Sequence, residues 1–117
     1  MSNRAEREAK GRRGEWQAAW YLRLTGWRIL AQRMKCPRGE VDIIARKGRL
    51  VVFVEVKWRH SARDLDLATD HYRMRRVAAA AEALAPRYAR DGDDLRIDVL
   101  LLAPGRFPRH LTNVWMP

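Results

Sequence analysis

The sequence is short of cysteine, of acidic residues and of long apolar runs, and each shortage removes a class of protein. Cys36 alone cannot close an intramolecular disulfide or furnish a thiolate zinc site. No stretch approaches the roughly 18 consecutive apolar residues of a membrane span. The first fifteen residues carry Arg4, Arg7, Lys10, Arg12 and Arg13 with no apolar run behind them, so no secretory signal is expected. These absences lead to the expectation of a reduced, cytoplasmic protein with no membrane partner. Acidic side chains number 14 against 24 basic ones, all but four of the latter arginine, which gives a formal charge of +10.

What is present makes one folded domain over residues 1–117. The length suits a single domain, and 47% of residues are hydrophobic, too many for a disordered polycation. A chain of this size buries about two thirds of its unfolded surface, enough for a core without staples. The excess charge attracts polyanions, so nucleic acid is the first partner to consider, although a GC-rich genome alone can favour arginine. The charge is densest in residues 1–35. Gly11 and Gly14 weaken any helix through them, so 1–11 are expected to form a basic arm or frayed turn carrying cations toward a phosphate backbone.

From Arg13 to Leu24 the residues Trp16, Ala19, Trp20 and Leu24 recur at helical spacing, and Gly26 is placed to end a helix. Residues 27–34 read as a strand without clean alternation, and Cys36-Pro37-Arg38-Gly39 breaks it. Val41–Ala45 and Leu50–Val56 are β-branched strands joined by Arg46-Lys47-Gly48-Arg49. Residues 67–90 place His71, Met74, Val77, Ala78, Ala81 and Leu84 on a second helix that meets Pro86 near its end. Leu95–Leu102 is nearly continuous and apolar, as in a strand buried on both faces, and 110–115 suggest a short edge strand. The order αβββαβ implies an α/β fold, a mixed β-sheet with a helix on each side.

The chemistry gathers on the hairpin. A turn centred on Lys47 and Gly48 pairs Asp42 with Phe53 and Glu40 with Glu55. Alternation then puts Glu40, Asp42, Phe53, Glu55 and Lys57 on one face, with Val41, Ile43, Val52, Val54 and Val56 on the other. Asp42 and Glu55, as diagonal neighbours about 7–8 Å apart, come close enough to share a divalent ion. Like charges at such range repel by roughly 3 kcal/mol at an effective dielectric near 20, and by under about 1 kcal/mol when hydrated. In a partly enclosed cleft Lys57 alone does not neutralise three carboxylates and a cation is the remedy. On an open edge the same residues are a solvated face.

The segments Gly39-Glu40-Val41-Asp42-Ile43-Ile44 and Val52-Phe53-Val54-Glu55-Val56-Lys57 resemble the Asp…Glu-x-Lys core of the PD-(D/E)xK nuclease superfamily. Within it the chain is similar to the YraN family of bacterial proteins, related to Holliday-junction resolvases. The likeness extends to Gly14-Glu15, Ala18, Tyr21-Leu22, Gly26 and Arg96-Ile97-Asp98-Val99. It implies a restriction-endonuclease-like fold and metal ligation by Asp42 and Glu55, with the Val56 carbonyl a further ligand. It also implies a phosphate- or water-directing role for Lys57 and a site role for Glu15. Oxygen donors without paired His or Cys suit Mg²⁺ or Mn²⁺. Glu40 is either a further ligand or a turn cap or arginine partner.

Other residues carry weaker signals. Trp16, Trp20 and Trp27 are expected in the core rather than as base-stacking platforms. Trp58 and His60 follow the Glu-x-Lys strand and have structural roles or touch substrate. His71 and His110 stand isolated, and Ser61 and Thr69 lack the partners of a nucleophile. Arg12, Arg13, Arg73, Arg75 and Arg76 are the candidates for phosphate contacts, and the last three serve equally well as a wet helix face. The reading is therefore a metal-dependent endonuclease-like protein acting on structured or branched DNA. The rivals are a non-catalytic nucleic-acid-binding module of the same fold and an adaptor for an acidic protein. A homodimer, which would cut two strands, is left open.

Overall fold

Two helices and five strands follow in the order α1 (Arg4–Leu24), β1 (Arg28–Cys36), β2 (Gly39–Lys47), β3 (Leu50–Trp58), α2 (Leu67–Tyr88), β4 (Asp94–Leu102) and β5 (Arg109–Leu111). The structure, a computed structural model, describes the backbone of residues 4–58 and 67–115 and the side chains of 14–58 and 71–115. His60, Ser61 and the side chains of Arg12, Arg13 and Thr69 lie outside the described residues. The strands form one sheet in chain order, with β3 and β4 parallel and every other pair antiparallel. Parallel neighbours need a long crossover, and α2 supplies it. This is the restriction-endonuclease-like mixed sheet flanked by helices.

Both faces of the sheet centre are covered, which is why β2 and β3 read as almost unbroken apolar runs. On one face Ala18, Ala19 and Leu22 of α1 pack on Ile43, Ala45, Val52, Val54 and Leu100. On the other, Val77, Ala80, Ala81 and Leu84 of α2 pack on Val41, Ile44, Val51 and Phe53. Helix α1 runs through Gly11 and Gly14 from Arg4, so the expected arm at 1–11 is helical from Arg4 onward. Glu, Arg, Ala and Lys around Gly11 are good helix formers. Gly14 is buried against Leu102, Trp58 and Val56, where a small residue lets the helix lie close.

The face that α1 buries differs from the expected one. Gly14, Ala18 and Leu22, spaced by four, form the row against the sheet. Trp16, Trp20 and Leu24 form a row displaced by two residues, about 200° around the helix, and all three are exposed. Of the three tryptophans expected inside, only Trp27 is buried. The helix ends in a Schellman motif: Trp27 N–H donates to the Leu22 carbonyl and Gly26 N–H to that of Arg23, with Gly26 at φ 97°.

The central hairpin also corrects the expected register. Its turn is Gly48-Arg49, with Gly48 at φ 62°, and the ladder runs Lys47↔Leu50, Ala45↔Val52 and Ile43↔Val54. The pairing is thus shifted by two residues from one centred on Lys47 and Gly48, because only glycine takes the left-handed first position of the tight turn easily. Val41 was expected beside Ile43 but lies on the α2 face with Ile44. The β1 strand lacks alternation because its register slips between Ile29 and Ala31 and Arg33 adopts φ 54°.

One close approach sets α2 against the start of β2. A Cβ on Gly39 would stand 2.5 Å from the Arg76 carbonyl oxygen, whereas one on Gly14 would meet nothing nearer than 3.6 Å. Gly39→Ala is therefore expected to lower stability by about 1–3 kcal/mol, since backbone must move. Gly14→Ala should leave stability unchanged or raise it by up to about 1 kcal/mol through helix propensity. Thermal melts of the two variants check this contrast; a milder effect at Gly39 than at Gly14 would contradict it.

Candidate functional site

Where β2 and β3 part, two carboxylates replace the ladder. The last backbone pair is Ile43↔Val54, and its continuation would set Asp42 opposite Glu55. Instead Asp42 Oδ2 accepts the Val56 N–H at 2.8 Å, so a side chain does the work of a strand carbonyl. Glu55 is 2% exposed, Lys57 6% and Asp42 9%, so the Asp…Glu-x-Lys set lies inside the protein. The solvated-face alternative for these three is therefore removed. Their burial follows from β3 being a central strand, covered by a helix on each side.

Arginine supplies part of the neutralisation. Arg73 of α2 donates through Nη2 to Glu55 Oε1 at 2.6 Å, with its own side chain 56% exposed. Glu40, Glu55, Tyr72, Arg73, Arg76 and Val77 line a cleft of about 270 Å³. Beside it a second hollow is bounded by Arg38, Tyr72, Arg75 and Arg76. Arg73 and Arg76 thus share the cleft with Glu40 and Glu55, while Arg75 borders the neighbouring hollow. Glu40 is at the exposed rim of this cleft, apart from the buried pair.

Glu15 approaches the site from α1 but is engaged by Arg33, whose Nε donates to its Oε2. Arg33 holds the left-handed conformation noted above, a conformation that costs an arginine roughly 1–2 kcal/mol. Such strain is found where the surroundings fix a side chain in place, here the guanidinium between Glu15 and the Asp42 and Glu40 charges. Nothing in the sequence marked Arg33 as the partner of Glu15.

Burial pushes the Asp42 carboxyl up to about 6; the Val56 N–H opposes this, and the charges of Glu15 and Glu40 add to it. Burial pushes Glu55 up to about 7, helped by the Asp42 charge and opposed by Arg73 and Lys57. Burial thus outweighs the cations beside the pair, Arg73 and Lys57, and favours the protonated form of both carboxyls. Among the described residues no three or more His, Cys, Asp or Glu side chains converge as a metal cage. Mg²⁺ needs none, because it is held by one or two carboxylates and keeps several waters. The donor set of two buried carboxylates and the Val56 carbonyl fits that ion.

A second buried acid behaves in the opposite way. Asp98 of β4, fully buried, accepts two bonds from Arg96 and one from the Asn113 N–H, and lies 2.7 Å from His110 Nε2. Burial alone would raise its pKa, but His110, Arg96 and the Asn113 N–H together hold it down, at about 2. It is a satisfied structural centre that ties β5 and the segment after it to β4. His110, isolated in sequence, belongs here; the signal was an aspartate inside an otherwise apolar strand, which needs partners when buried.

The fold and the site define a mixed α/β domain of restriction-endonuclease-like architecture with a buried Asp…Glu-x-Lys set. Residues 14–102 match the profile described as "Uncharacterised protein family UPF0102", which is the YraN family, and the chain belongs to that family. A UPF0102 protein of Sphingopyxis alaskensis is 68% identical over 114 residues, 97% of this chain and 98% of its own length. Relatives from Erythrobacter litoralis and Rhizorhabdus wittichii are 63% and 60% identical, over 94% and 98% of this chain and 95% and 98% of their own.

The raised carboxyls fix the sign of a pH dependence. The folded protein keeps protons on Asp42 and Glu55 that the unfolded chain has released, so their contribution to stability is greatest below about pH 4. It declines as pH rises through about 6 and 7. Asp42→Asn keeps an acceptor for Val56 and removes one charge. Its melting temperature is expected to equal or exceed that of the wild type, with the advantage widening between about pH 4 and about pH 7. A variant less stable at pH 8 than at pH 5, relative to wild type, would refute this account.

Proposed function

We propose that this protein is a Mg²⁺- or Mn²⁺-dependent endonuclease-like protein that binds structured or branched DNA and hydrolyses its phosphodiesters. The observation that carries this reading is the buried Asp42, Glu55 and Lys57 set, with Glu55 opening into an arginine-lined cleft. Binding to a polyanion gains nothing from carboxylates at its contact surface, whereas metal-assisted hydrolysis requires them. The resemblance to the PD-(D/E)xK core assigns the same residues the same roles.

A divalent ion held by Asp42, Glu55 and the Val56 carbonyl would polarise the phosphodiester and lower the pKa of a bound water. Lys57, fixed in the strand beside Glu55, places an ammonium for a non-bridging phosphate oxygen or the attacking water. The buried walls around Asp42 and Glu55 lower the local dielectric and strengthen each of these interactions. Arg75 and Arg76 are exposed on α2 and track the phosphates on either side. Arg12 and Arg13 stay candidates for phosphate contacts on the sequence alone. Glu15, engaged by Arg33, orients the α1 side of the site.

A second reading, a nucleic-acid-binding module without turnover, is favoured by one observation: Arg73 already occupies Glu55 Oε1. The two readings part at that residue. If Glu55 is a metal ligand, Arg73→Ala should tighten Mg²⁺ binding, as followed by the rise in melting temperature with added ion. If Arg73 is the permanent partner of Glu55, the variant should only lose stability.

Cleavage of labelled duplex, single-stranded, flap and four-way-junction DNA is expected with Mn²⁺ or Mg²⁺ and not in EDTA. Asp42→Asn, Glu55→Gln and Lys57→Ala should each abolish it while DNA is still bound. Binding should weaken steeply with salt, with a log–log slope of about −0.9 per phosphate contacted on duplex DNA. Metal-independent cutting, or cutting by Asp42→Asn, would place the active site elsewhere. A slope near zero would favour an acidic protein as the partner.

A further inference from the structure

On the sheet face opposite the arginine cleft, a groove of about 730 Å³ runs between α1 and the loop of residues 103–108, with Trp58 and Leu102 among its lining. Trp16 is 63% exposed there, Trp20 45% and Phe107 94%. The two indoles stand edge to face with centroids 6.2 Å apart, and the Arg23 guanidinium lies 5.6 Å from the Trp20 ring centre. Arg106 also lines the groove, and among the described residues no acidic side chain does.

We propose that this groove binds the unpaired bases of a single-stranded nucleic-acid segment continuous with the phosphodiester at Asp42 and Glu55. The inference rests on the nucleic-acid reading above and adds the substrate class to it. Solvent-exposed aromatic rings on one helix face, together with arginine, form the stacking surface that accepts any base in sequence-tolerant fashion. A duplex keeps its base faces stacked inside and cannot use such a surface, so the groove selects nucleic acid with a single-stranded part. The charge is complementary, since arginines without acids meet a phosphate backbone.

Continuity with the site supports the same occupant. Trp16 follows Glu15 on α1 and Trp58 follows Lys57 on β3, so the groove is lined by the immediate chain neighbours of two candidate-site residues, turned to the other side of the sheet. A second copy of this chain fits less well. It would bring Arg23 and Arg106 of two chains of charge +10 together with no acidic residue among the described lining to receive them.

Fluorescence anisotropy in EDTA, with labelled oligothymidine and a duplex of equal length, tests the assignment without any cleavage. Trp16→Ala/Trp20→Ala is expected to weaken oligothymidine binding by about tenfold or more and to leave duplex binding within about twofold. Trp16→Phe/Trp20→Phe should restore most of the loss, because the rings and not the indole N–H carry the contact. Phe107→Ala, at a fully exposed position that folding does not need, should weaken oligothymidine binding in the same direction. Unchanged oligothymidine affinity in the alanine variants, with duplex still bound, overturns the groove assignment alone. A concentration-dependent dimer in sedimentation that the alanine pair disperses, again with unchanged oligothymidine affinity, reassigns the groove to a second copy. Failure of the wild type to bind either nucleic acid overturns the nucleic-acid reading of the cleft as well.

Discussion

The structure turns on keeping two carboxylates buried at the point where a central hairpin comes apart. Burying an unpaired charge is among the costliest arrangements a small domain can hold. Everything around Asp42 and Glu55 bears on that cost: the Val56 N–H on one, Arg73 on the other, and Lys57 on the same strand. These partners leave both carboxyls above their ordinary values, so the offset is incomplete. Asp98 shows that this chain is able to satisfy a buried acid fully. Four donor contacts from Arg96, His110 and Asn113 hold it ionised in the same sheet. The buried acids thus differ in sign: burial dominates at Asp42 and Glu55, whereas hydrogen bonds together dominate at Asp98.

The fold supplies the depth that this centre needs. A parallel β3–β4 pair requires α2 as crossover, and α2 then covers the face on which Glu55 lies. Gly39 lets the start of β2 touch the backbone of α2, bringing Glu40 and the arginines of α2 to one rim. On the far face, Gly14 and Ala18 let α1 lie close enough to seal Val54 from water and cover part of Val56. Gly39 on one face and Gly14 with Ala18 on the other thus set the two helix heights, and the heights decide how dry the carboxylates are.

Much of this was legible in the sequence. The β-branched runs around Gly48, the helical spacing of Met74, Val77, Ala81 and Leu84, and the apolar stretch ending at Leu102 each correspond to an observed element. The Asp42, Glu55 and Lys57 set was legible because three charged residues sat in strands otherwise too apolar for a surface. Register was not, because a turn on Lys47-Gly48 and one on Gly48-Arg49 keep the same alternation and differ only in which residues face each other. The buried face of α1 was also misread. Tryptophan dominates any count of apolar residues, but close packing on a sheet selected the row of Gly14, Ala18 and Leu22 instead.

That misreading has a physical consequence for how the two faces divide their labour. Large rings turned outward cannot contribute to the core, and in a chain of 117 residues the core has little area to spare. Trp16, Trp20 and Phe107 therefore represent apolar surface that folding alone does not account for, whereas the small residues beneath them do all the packing. In the proposed function the arginine cleft on one face takes phosphates and the aromatic groove on the other takes bases, with Glu15-Trp16 of α1 and Lys57-Trp58 of β3 as the chain neighbours between them. A nucleotide strand presents those same two chemistries along its length, and a single-stranded substrate segment would match its bases to the exposed rings and its phosphates to the arginines.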